Sequence, residues 1–261
     1  MLIDSHCHLN FPDFADDLNE VLARAKAADV LVLQTICTKL SEFPDVLSLT
    51  HKNNNIYCSI GIHPHNVIDE PKFRPNEIEN IIKKHPSIIG VGETGLDYYY
   101  ENSPREAQQD SFRAHICSAR RTGLPVIIHS RSADEDTASI LRAEYNKAPF
   151  PGVLHCFSAG LSVAEAALDC GLYISISGIV TFKNAGALRA IVEHLPLDKL
   201  LLETDAPYLS PVPCRGIRNE PSFVRHTAKY LAELLTVETE QLVDQTTDNF
   251  FKLFGRALDP R

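Results

Sequence analysis

The chain has 261 residues, of which 44% are hydrophobic and 23% charged, and its formal net charge is −9. This composition excludes a collagen-like chain, a low-complexity chain and a disulfide scaffold, and the charge argues against a protein that holds polyanions by bulk positive charge. Seven scattered cysteines predict reduced thiols. Because no signal peptide or membrane-length apolar run is visible, we expect a soluble, cytoplasmic protein with no membrane contact and no obligate protein partner.

Short apolar runs recur along the chain and predict eight strands that are covered on both faces, as in a parallel sheet. They lie at residues 2–3, 30–36, 56–62, 88–91, 125–128, 153–154, 172–176 and 200–202. Segments of helix length separate these runs. Helices are predicted over residues 17–28, 104–122, 134–145, 161–170 and 221–235, with Gly123 ending the second of them.

The repeated alternation of strand and helix predicts an α/β fold, a (β/α)8 TIM barrel formed by residues 1–261 as a single domain. The tail over residues 237–254 predicts one or two extra C-terminal helices packed outside the barrel. A doubly wound open sheet is the alternative fold.

Residues that can bind metals stand at the carboxyl ends of the apolar runs. They are His6, His8, Glu93, His129, His155 and Asp205, with His63 and His65 as a further pair. In a barrel these ends meet on one face, where the active sites of this fold lie. Because side chains alternate along a strand, His6 and His8 point the same way and can chelate one ion, while Cys7 faces away.

Four histidines and two carboxylates exceed the three protein ligands of a usual hydrolytic zinc site, so the pattern predicts two divalent ions with a bridging carboxylate. Glu93, on the fourth strand, is the expected bridge. We assign the first ion to His6, His8, Asp205 and Glu93, and the second ion to Glu93, His129 and His155. Mixed histidine and carboxylate ligation leaves the metal open among Zn, Mn, Mg, Co and Ni.

Further roles are predicted for residues near these ligands. Asp205 can also accept a proton from the attacking water, with a helix N-cap as the structural alternative. Glu203, deeper in the same strand, is the expected partner of a ligand histidine. His63 and His65 flank Pro64, which signals a turn, and they can orient substrate oxygens or stabilise a leaving group. Loop histidines bonded to backbone are the alternative for this pair.

Cationic and aromatic side chains follow several of the predicted strands. Arg131, Lys183, Arg215 and Arg218 can each contact phosphate oxygens, or remain solvated surface charges. The three tyrosines at residues 98–100 can stack on a base or form a packed aromatic loop.

Six segments carry a resemblance to a known family. They read Ile-Asp-Ser-His-Cys-His-Leu at residues 3–9, Gly-Ile-His-Pro-His at 61–65, Gly-Glu-Thr-Gly-Leu-Asp-Tyr-Tyr at 92–99, Val-Ile-Ile-His-Ser-Arg at 126–131, His-Cys-Phe-Ser at 155–158 and Glu-Thr-Asp-Ala-Pro-Tyr-Leu at 203–209. In this order they resemble the TatD family of metal-dependent deoxyribonucleases. The chain departs from the family's usual pattern at Ala159, where glycine is expected directly after Ser158, and at His115, where glutamine is commoner.

The resemblance implies a barrel of the metal-dependent hydrolase type with two divalent metals. It places their ligands at His6, His8, Glu93, His129, His155 and Asp205. It also implies a nuclease, often a 3′→5′ exonuclease on single-stranded DNA.

Together the residues and the resemblance predict a hydrolase that cuts phosphodiester bonds of DNA with two divalent ions, Mg, Mn or Zn. Asp205, Glu93 and His63 are its expected catalytic residues. The negative net charge predicts weak binding away from the cut site, and therefore a preference for ends or single strands.

Two alternatives stay open. One is an amidohydrolase-like barrel enzyme that hydrolyses a small C–N or C–O substrate, although such sites commonly use a carboxylated lysine where this chain has Glu93. The other is a metal-binding protein without catalysis, which the large ligand set disfavours because structural sites need fewer groups.

Overall fold

A computed structural model describes residues 1–72 and 74–261 and shows eight parallel strands. They are β1 (Leu2–Cys7), β2 (Val30–Thr35), β3 (Ile56–Ile60), β4 (Ile88–Asp97), β5 (Val126–Arg131), β6 (Gly152–Leu154), β7 (Tyr173–Ile176) and β8 (Leu200–Leu202). Each strand pairs with the next in chain order. A parallel bridge from Cys7 to Ala206, just after β8, brings the last strand back to the first. The predicted (β/α)8 barrel is therefore confirmed, and the doubly wound alternative is wrong.

Helices alternate with the strands and cover the outside of the barrel. They are α1 (Leu18–Ala27), α2 (Phe43–Lys52), α3 (Pro75–Ile82), α4 (Arg105–Thr122), α5 (Asp134–Lys147), α6 (Leu161–Asp169), α7 (Gly186–Val192), α8 (Val224–Leu235) and α9 (Thr239–Leu253). Gly123 ends α4 with φ 70°, a left-handed conformation that glycine adopts readily. Within the described residues, none of the helices is both long enough and apolar enough to span a membrane.

The amino end of the barrel interior is apolar, and α9 closes it. Every strand contributes one side chain to this layer, namely Ile3, Val32, Tyr57, Ile89, Ile127, Val153, Tyr173 and Leu201. Phe250 and Phe254 pack against this layer, and Asn249 donates hydrogen bonds to the carbonyls of Leu197 and Leu200 at 2.9 Å each. The tail therefore forms a predicted extra C-terminal helix, which covers the amino end of the barrel as a plug.

Strand β4 continues six residues past the predicted run at 88–91, and all ten of its residues are buried. Its second half pairs with β5, where Gly95 lies opposite His129 and Asp97 opposite Arg131. Gly95 is required there because its φ is +136° and an added Cβ would lie 2.0 Å from the carbonyl oxygen of His129. As a result Glu93 lies inside the strand, and Asp97 stands at its carboxyl end.

Candidate metal centre

The carboxyl ends of the strands bring all six predicted ligands to one mouth of the barrel. His6 lies in β1, Glu93 in β4 and His129 in β5, while His8, His155 and Asp205 follow β1, β6 and β8. His6, Glu93 and His155 are 1%, 2% and 5% exposed. The rings of His6 and His155 are stacked with their centroids 3.9 Å apart. Residues separated by half the chain therefore form one compact cluster.

The carboxylate of Glu93 lies at the centre of this cluster, and its two oxygens face different histidines. Oε2 is 3.4 Å from Nε2 of His6. Oε1 is 2.7 Å from Nε2 of His155 and 3.1 Å from Nδ1 of His129. A carboxylate with one oxygen toward each of two ligand sets has the arrangement that a bridge between two ions needs.

Asp205 completes the side of the cluster that β1 provides. Its Oδ1 is 3.3 Å from Nε2 of His8 and 3.6 Å from Nε2 of His6. Its backbone N–H donates to the carbonyl of His6 at 2.9 Å, and its φ of 59° is unusual for a residue other than glycine. A non-glycine residue in this region costs about 1–3 kcal/mol and is found most often at functional sites.

Unpaired buried atoms show that a cation fits this mouth. In the described part of the chain, no hydrogen-bond partner reaches Nδ1 or Nε2 of His6 or Nδ1 of His8. Leaving one buried polar group unpaired costs about 1–3 kcal/mol, so several at one place indicate a ligand that supplies the missing contacts. Imidazole and carboxylate groups together suit Zn, Mn, Co or Ni, and the carboxylates also suit Mg.

Burial and neighbouring charges set the protonation states of the cluster. Burial opposes ionisation of Glu93, but its electrostatic interactions with His155, His63 and His6 and its hydrogen bond with His129 together outweigh burial and hold the pKa of Glu93 well below its usual range. Burial raises the pKa of Asp205, but its hydrogen bond with His8 and its electrostatic interactions with His6, His8 and His155 together outweigh burial and lower the pKa. Both carboxylates are therefore ionised at neutral pH, as cation binding requires.

The histidines respond in opposite directions. Burial lowers the pKa of His6, which keeps its ring neutral and able to bind a metal. Burial also disfavours the charged form of His155, but the charges of Glu93 and Glu203 and their hydrogen bonds with His155 together outweigh burial and raise the pKa of His155 well above its usual value. A cation that binds His155 must therefore displace a proton, so we expect ion binding to release protons.

His63 differs from the six predicted ligands because its contacts fix its tautomer. Its Nδ1 accepts the backbone N–H of His65 at 3.1 Å, so the neutral ring carries its proton on Nε2. Burial lowers the pKa of His63 well below its usual value, which keeps the ring neutral. Nε2 lies 3.4 Å from Oε1 of Glu93. His63 therefore presents an N–H donor to the cluster, although its position would also allow a metal contact.

An open cavity of about 1090 Å³ lies above the cluster. Its described lining contains four carboxylates, Glu93, Asp97, Asp134 and Asp205, and a single cationic side chain that is always charged, Arg131. Like charges at these distances repel, so a phosphate ester would be excluded from this cavity unless cations were bound in it.

The profile of the TatD related DNase family matches residues 3–255 of this sequence. The chain belongs to the TatD family. The uncharacterized metal-dependent hydrolase YcfH of Escherichia coli strain K12 is 44% identical over 258 residues, with 97% of this chain and 95% of the relative covered. TatD of Klebsiella pneumoniae strain 342, named a 3'-5' ssDNA/RNA exonuclease, is 33% identical over 261 residues, with 97% and 98% covered.

A solved TatD-family structure shows the same fold. YJJV, a TatD homolog from Escherichia coli K12, superposes with a TM-score of 0.90 at 30% sequence identity, over 97% of this chain and 98% of that one. Membership in the family and the metal-dependent hydrolases among the relatives make this chain a metal-dependent hydrolase of the TatD family.

Two of the five residues predicted to bind substrate, His65 and Arg131, line the cavity. His65 Nε2 lies 2.9 Å from Oδ2 of Asp97. The guanidinium carbon of Arg131 lies 4.2 Å and 4.7 Å from the ring centroids of Tyr99 and Tyr100. Both residues are therefore placed where a substrate bound in the cavity could meet them.

The other three, Lys183, Arg215 and Arg218, are not among the described residues that line the cavity. Arg218 donates to both carboxylate oxygens of Asp17 at 2.8 and 2.7 Å. Arg215 donates to the carbonyl of Ser210 at 2.8 Å and lies over the ring of Phe182. Lys183 is exposed. These cations stand outside the cavity, and their proposed role in substrate binding has no support from the geometry.

Aromatic side chains flank the mouth on two sides. Tyr98 is packed and donates to Asp136 at 2.7 Å, but Tyr99 and Tyr100 are 62% and 53% exposed. On the opposite side Phe11 stacks on His8 with centroids 4.6 Å apart, and Tyr208 is 54% exposed. Sequence reasoning missed Phe11 and Tyr208, although each lies three residues beyond a predicted ligand.

Two carboxylates contact ligand histidines from outside the cluster. Glu203 Oε1 lies 3.5 Å from Nδ1 of His155, as expected for the partner of a ligand histidine. Asp97 Oδ2 lies 3.1 Å from Nε2 of His129, a contact that sequence reasoning missed. Burial opposes ionisation of Asp97, but hydrogen bonds from His129 and His65 outweigh it and lower the pKa of Asp97 far below its usual value. Asp97 is therefore an ionised carboxylate.

Proposed function

We propose that the protein is a phosphodiesterase that degrades single-stranded DNA from the 3′ end and uses two divalent ions. The observation that carries the proposal is the position of Glu93, which has one oxygen toward His6 and the other toward His129 and His155. His6, His8, Glu93 and Asp205 would hold one ion, and Glu93, His129 and His155 the other. The 3′→5′ polarity is inferred from the exonuclease named among the relatives.

Divalent ions held there would supply positive charge for the phosphate oxygens and would lower the pKa of water. Asp205 is ionised and about 15% exposed at its side chain, so it can accept the proton of the attacking water. The Nε2–H of His63 can donate to a phosphate oxygen as negative charge develops. Arg131 is exposed at the rim and can contact a neighbouring phosphate.

The rim supports an unpaired strand as the substrate. Of the eight exposed large hydrophobic side chains in the described chain, seven lie in the loops or helix starts that follow strands. Tyr99, Tyr100 and Tyr208 are the aromatic members of this set. Base–aromatic stacking contributes about 1–3 kcal/mol per base and needs a base face that is not covered by a neighbour. The cavity of about 1090 Å³ exceeds what one small ligand needs.

The test uses metal-free protein and 5′-labelled oligonucleotides, single- and double-stranded DNA and RNA, with Mg, Mn or Zn added separately. We expect a ladder shortened from the 3′ end on single-stranded DNA, which chelator abolishes. Glu93→Gln should abolish it as well. Asp169→Asn, at a carboxylate on the outer end of α6, is the matched control and should retain full cleavage.

Two results would overturn the proposal. Cleavage that survives chelation, or that Glu93→Gln retains, would remove the role of the cluster. Hydrolysis of lactones or amides without any nucleic-acid cleavage would favour the amidohydrolase-like alternative. The described cavity lining argues against that alternative, because it contains Glu93 and no lysine that could be carboxylated.

A further inference from the structure

Asp97 accepts four hydrogen bonds at the carboxyl end of β4, where it is 1% exposed. Its Oδ1 accepts the backbone N–H groups of Tyr99 and Tyr100 at 3.0 Å each. Its Oδ2 lies 2.9 Å from Nε2 of His65 and 3.1 Å from Nε2 of His129. The two backbone contacts hold the carboxylate in place, so it acts as a fixed acceptor for the two rings.

An ionised carboxylate can only accept hydrogen bonds, so both rings must carry a proton on Nε2. The other ring nitrogen of His129, Nδ1, faces away from Asp97. That atom lies 3.1 Å from Oε1 of Glu93 and 3.4 Å from Nε2 of His155. It thus points to the place where Glu93, His129 and His155 converge.

We propose that Asp97 is a positioning residue that holds the ring of His129 with Nε2 toward Asp97, so that Nδ1 is directed to the ion that His129 would share with Glu93 and His155. The proposal rests on the metal centre proposed above. The same oxygen of Asp97 also contacts His65, which lies in the loop after β3. A single carboxylate therefore connects this loop to His129 on β5. Outer carboxylates of this kind orient a ligand histidine and raise its basicity.

The first test reads the ring protons directly in the metal-free protein. Imidazole proton–nitrogen correlation spectra of 15N-histidine-labelled protein are assigned with His129→Gln and His65→Gln. We expect a proton on Nε2 of both rings in the wild type. In Asp97→Asn, the Nε2 position of His129 should be only partly protonated. A wild-type His129 without a proton on Nε2 would overturn the proposal.

The second test is calorimetric titration of the metal-free protein with Zn or Mn. Asp97→Asn should weaken the binding of one ion by about 10- to 100-fold and leave the other unchanged. Asp136→Asn is the matched control, because this carboxylate contacts Tyr98 and Gln109 in the same region but no histidine. Unchanged affinity for both ions in a folded Asp97→Asn protein would refute the role.

Neither measurement involves a substrate, so the positioning role of Asp97 and the proposed nuclease function can be refuted independently. Asp97-dependent ion binding without nucleic-acid cleavage would leave Asp97 as the positioning residue of another hydrolase. The protein could also cleave nucleic acid while Asp97→Asn changes neither the protonation of His129 nor ion binding. That result would support the proposed function and exclude a role for Asp97 in it.

Discussion

Replacing His115 with glutamine is expected to change how the stability of the protein depends on pH. His115 is fully buried in α4, where its Nε2 accepts the backbone N–H of Ile62 at 3.0 Å and its Nδ1–H donates to the carbonyl of Ser111 at 2.7 Å. Burial lowers its pKa from 6.5 to about 4. A glutamine side chain also has one acceptor and one donor to offer these partners, but it does not titrate.

Proton linkage determines whether the stability rises or falls with pH. Below pH 6.5 the unfolded chain protonates His115, while the folded chain does so only near pH 4, so stability present above pH 6.5 is lost as the pH falls. The difference between a pKa of 6.5 in the unfolded chain and about 4 in the folded chain corresponds to at most about 3.4 kcal/mol of unfolding free energy. About 2 kcal/mol of this is lost between pH 7 and pH 5. The wild type should therefore lose about 2 kcal/mol more than His115→Gln over this range.

Urea unfolding in chelator at several pH values measures this difference, because the remaining histidines are common to both proteins and cancel. His194→Gln, at an exposed position, is the control for replacing a histidine as such. A difference in unfolding free energy between wild type and His115→Gln that is the same at pH 7 and pH 5 would refute the reasoning.

Three further substitutions test other parts of the structure. Phe250→Ala empties a site in the plug below the barrel and should lower the free energy of unfolding by about 3–5 kcal/mol in urea titrations. Tyr100→Ala should raise the KM for single-stranded oligonucleotides by about 5- to 150-fold with little change in kcat, since one stacked base is worth about 1–3 kcal/mol. Glu203→Gln removes the carboxylate facing His155 and should weaken ion binding by about 10- to 100-fold in calorimetric titration.

The barrel could be predicted because its strands are covered on both faces and therefore read as apolar runs. The ends of the runs also indicated which predicted ligands meet, since parallel strands deliver their carboxyl ends to one mouth. The same criterion failed for β4, whose second half is polar and rich in glycine yet fully buried. That error placed Glu93 at the end of its strand and left Asp97 without a predicted role.

The positions of the cations could not be predicted from their place after strands. Arg218 pairs with Asp17, which lies 201 residues away in sequence, and only the folded chain shows this partner. The position of α9 could not be predicted either, because its apolar face would fit an outer helix as well as a plug at the amino end of the barrel. Long-range pairing and the choice of partner surface are tertiary properties, whereas strand periodicity is local.

The composition of the mouth is compatible with both a net charge of −9 and the proposed nucleic-acid substrate. Its carboxylates attract cations, and those cations can in turn hold the scissile phosphate, so no basic surface is needed at that point. Beyond the cluster, Arg131 is the single lysine or arginine side chain in the described cavity lining. If the proposed substrate binds there, most of its contacts must come from the exposed faces of Tyr99, Tyr100 and Tyr208. Stacking requires bases that are free of a duplex, so we expect the proposed nuclease to prefer unpaired strands.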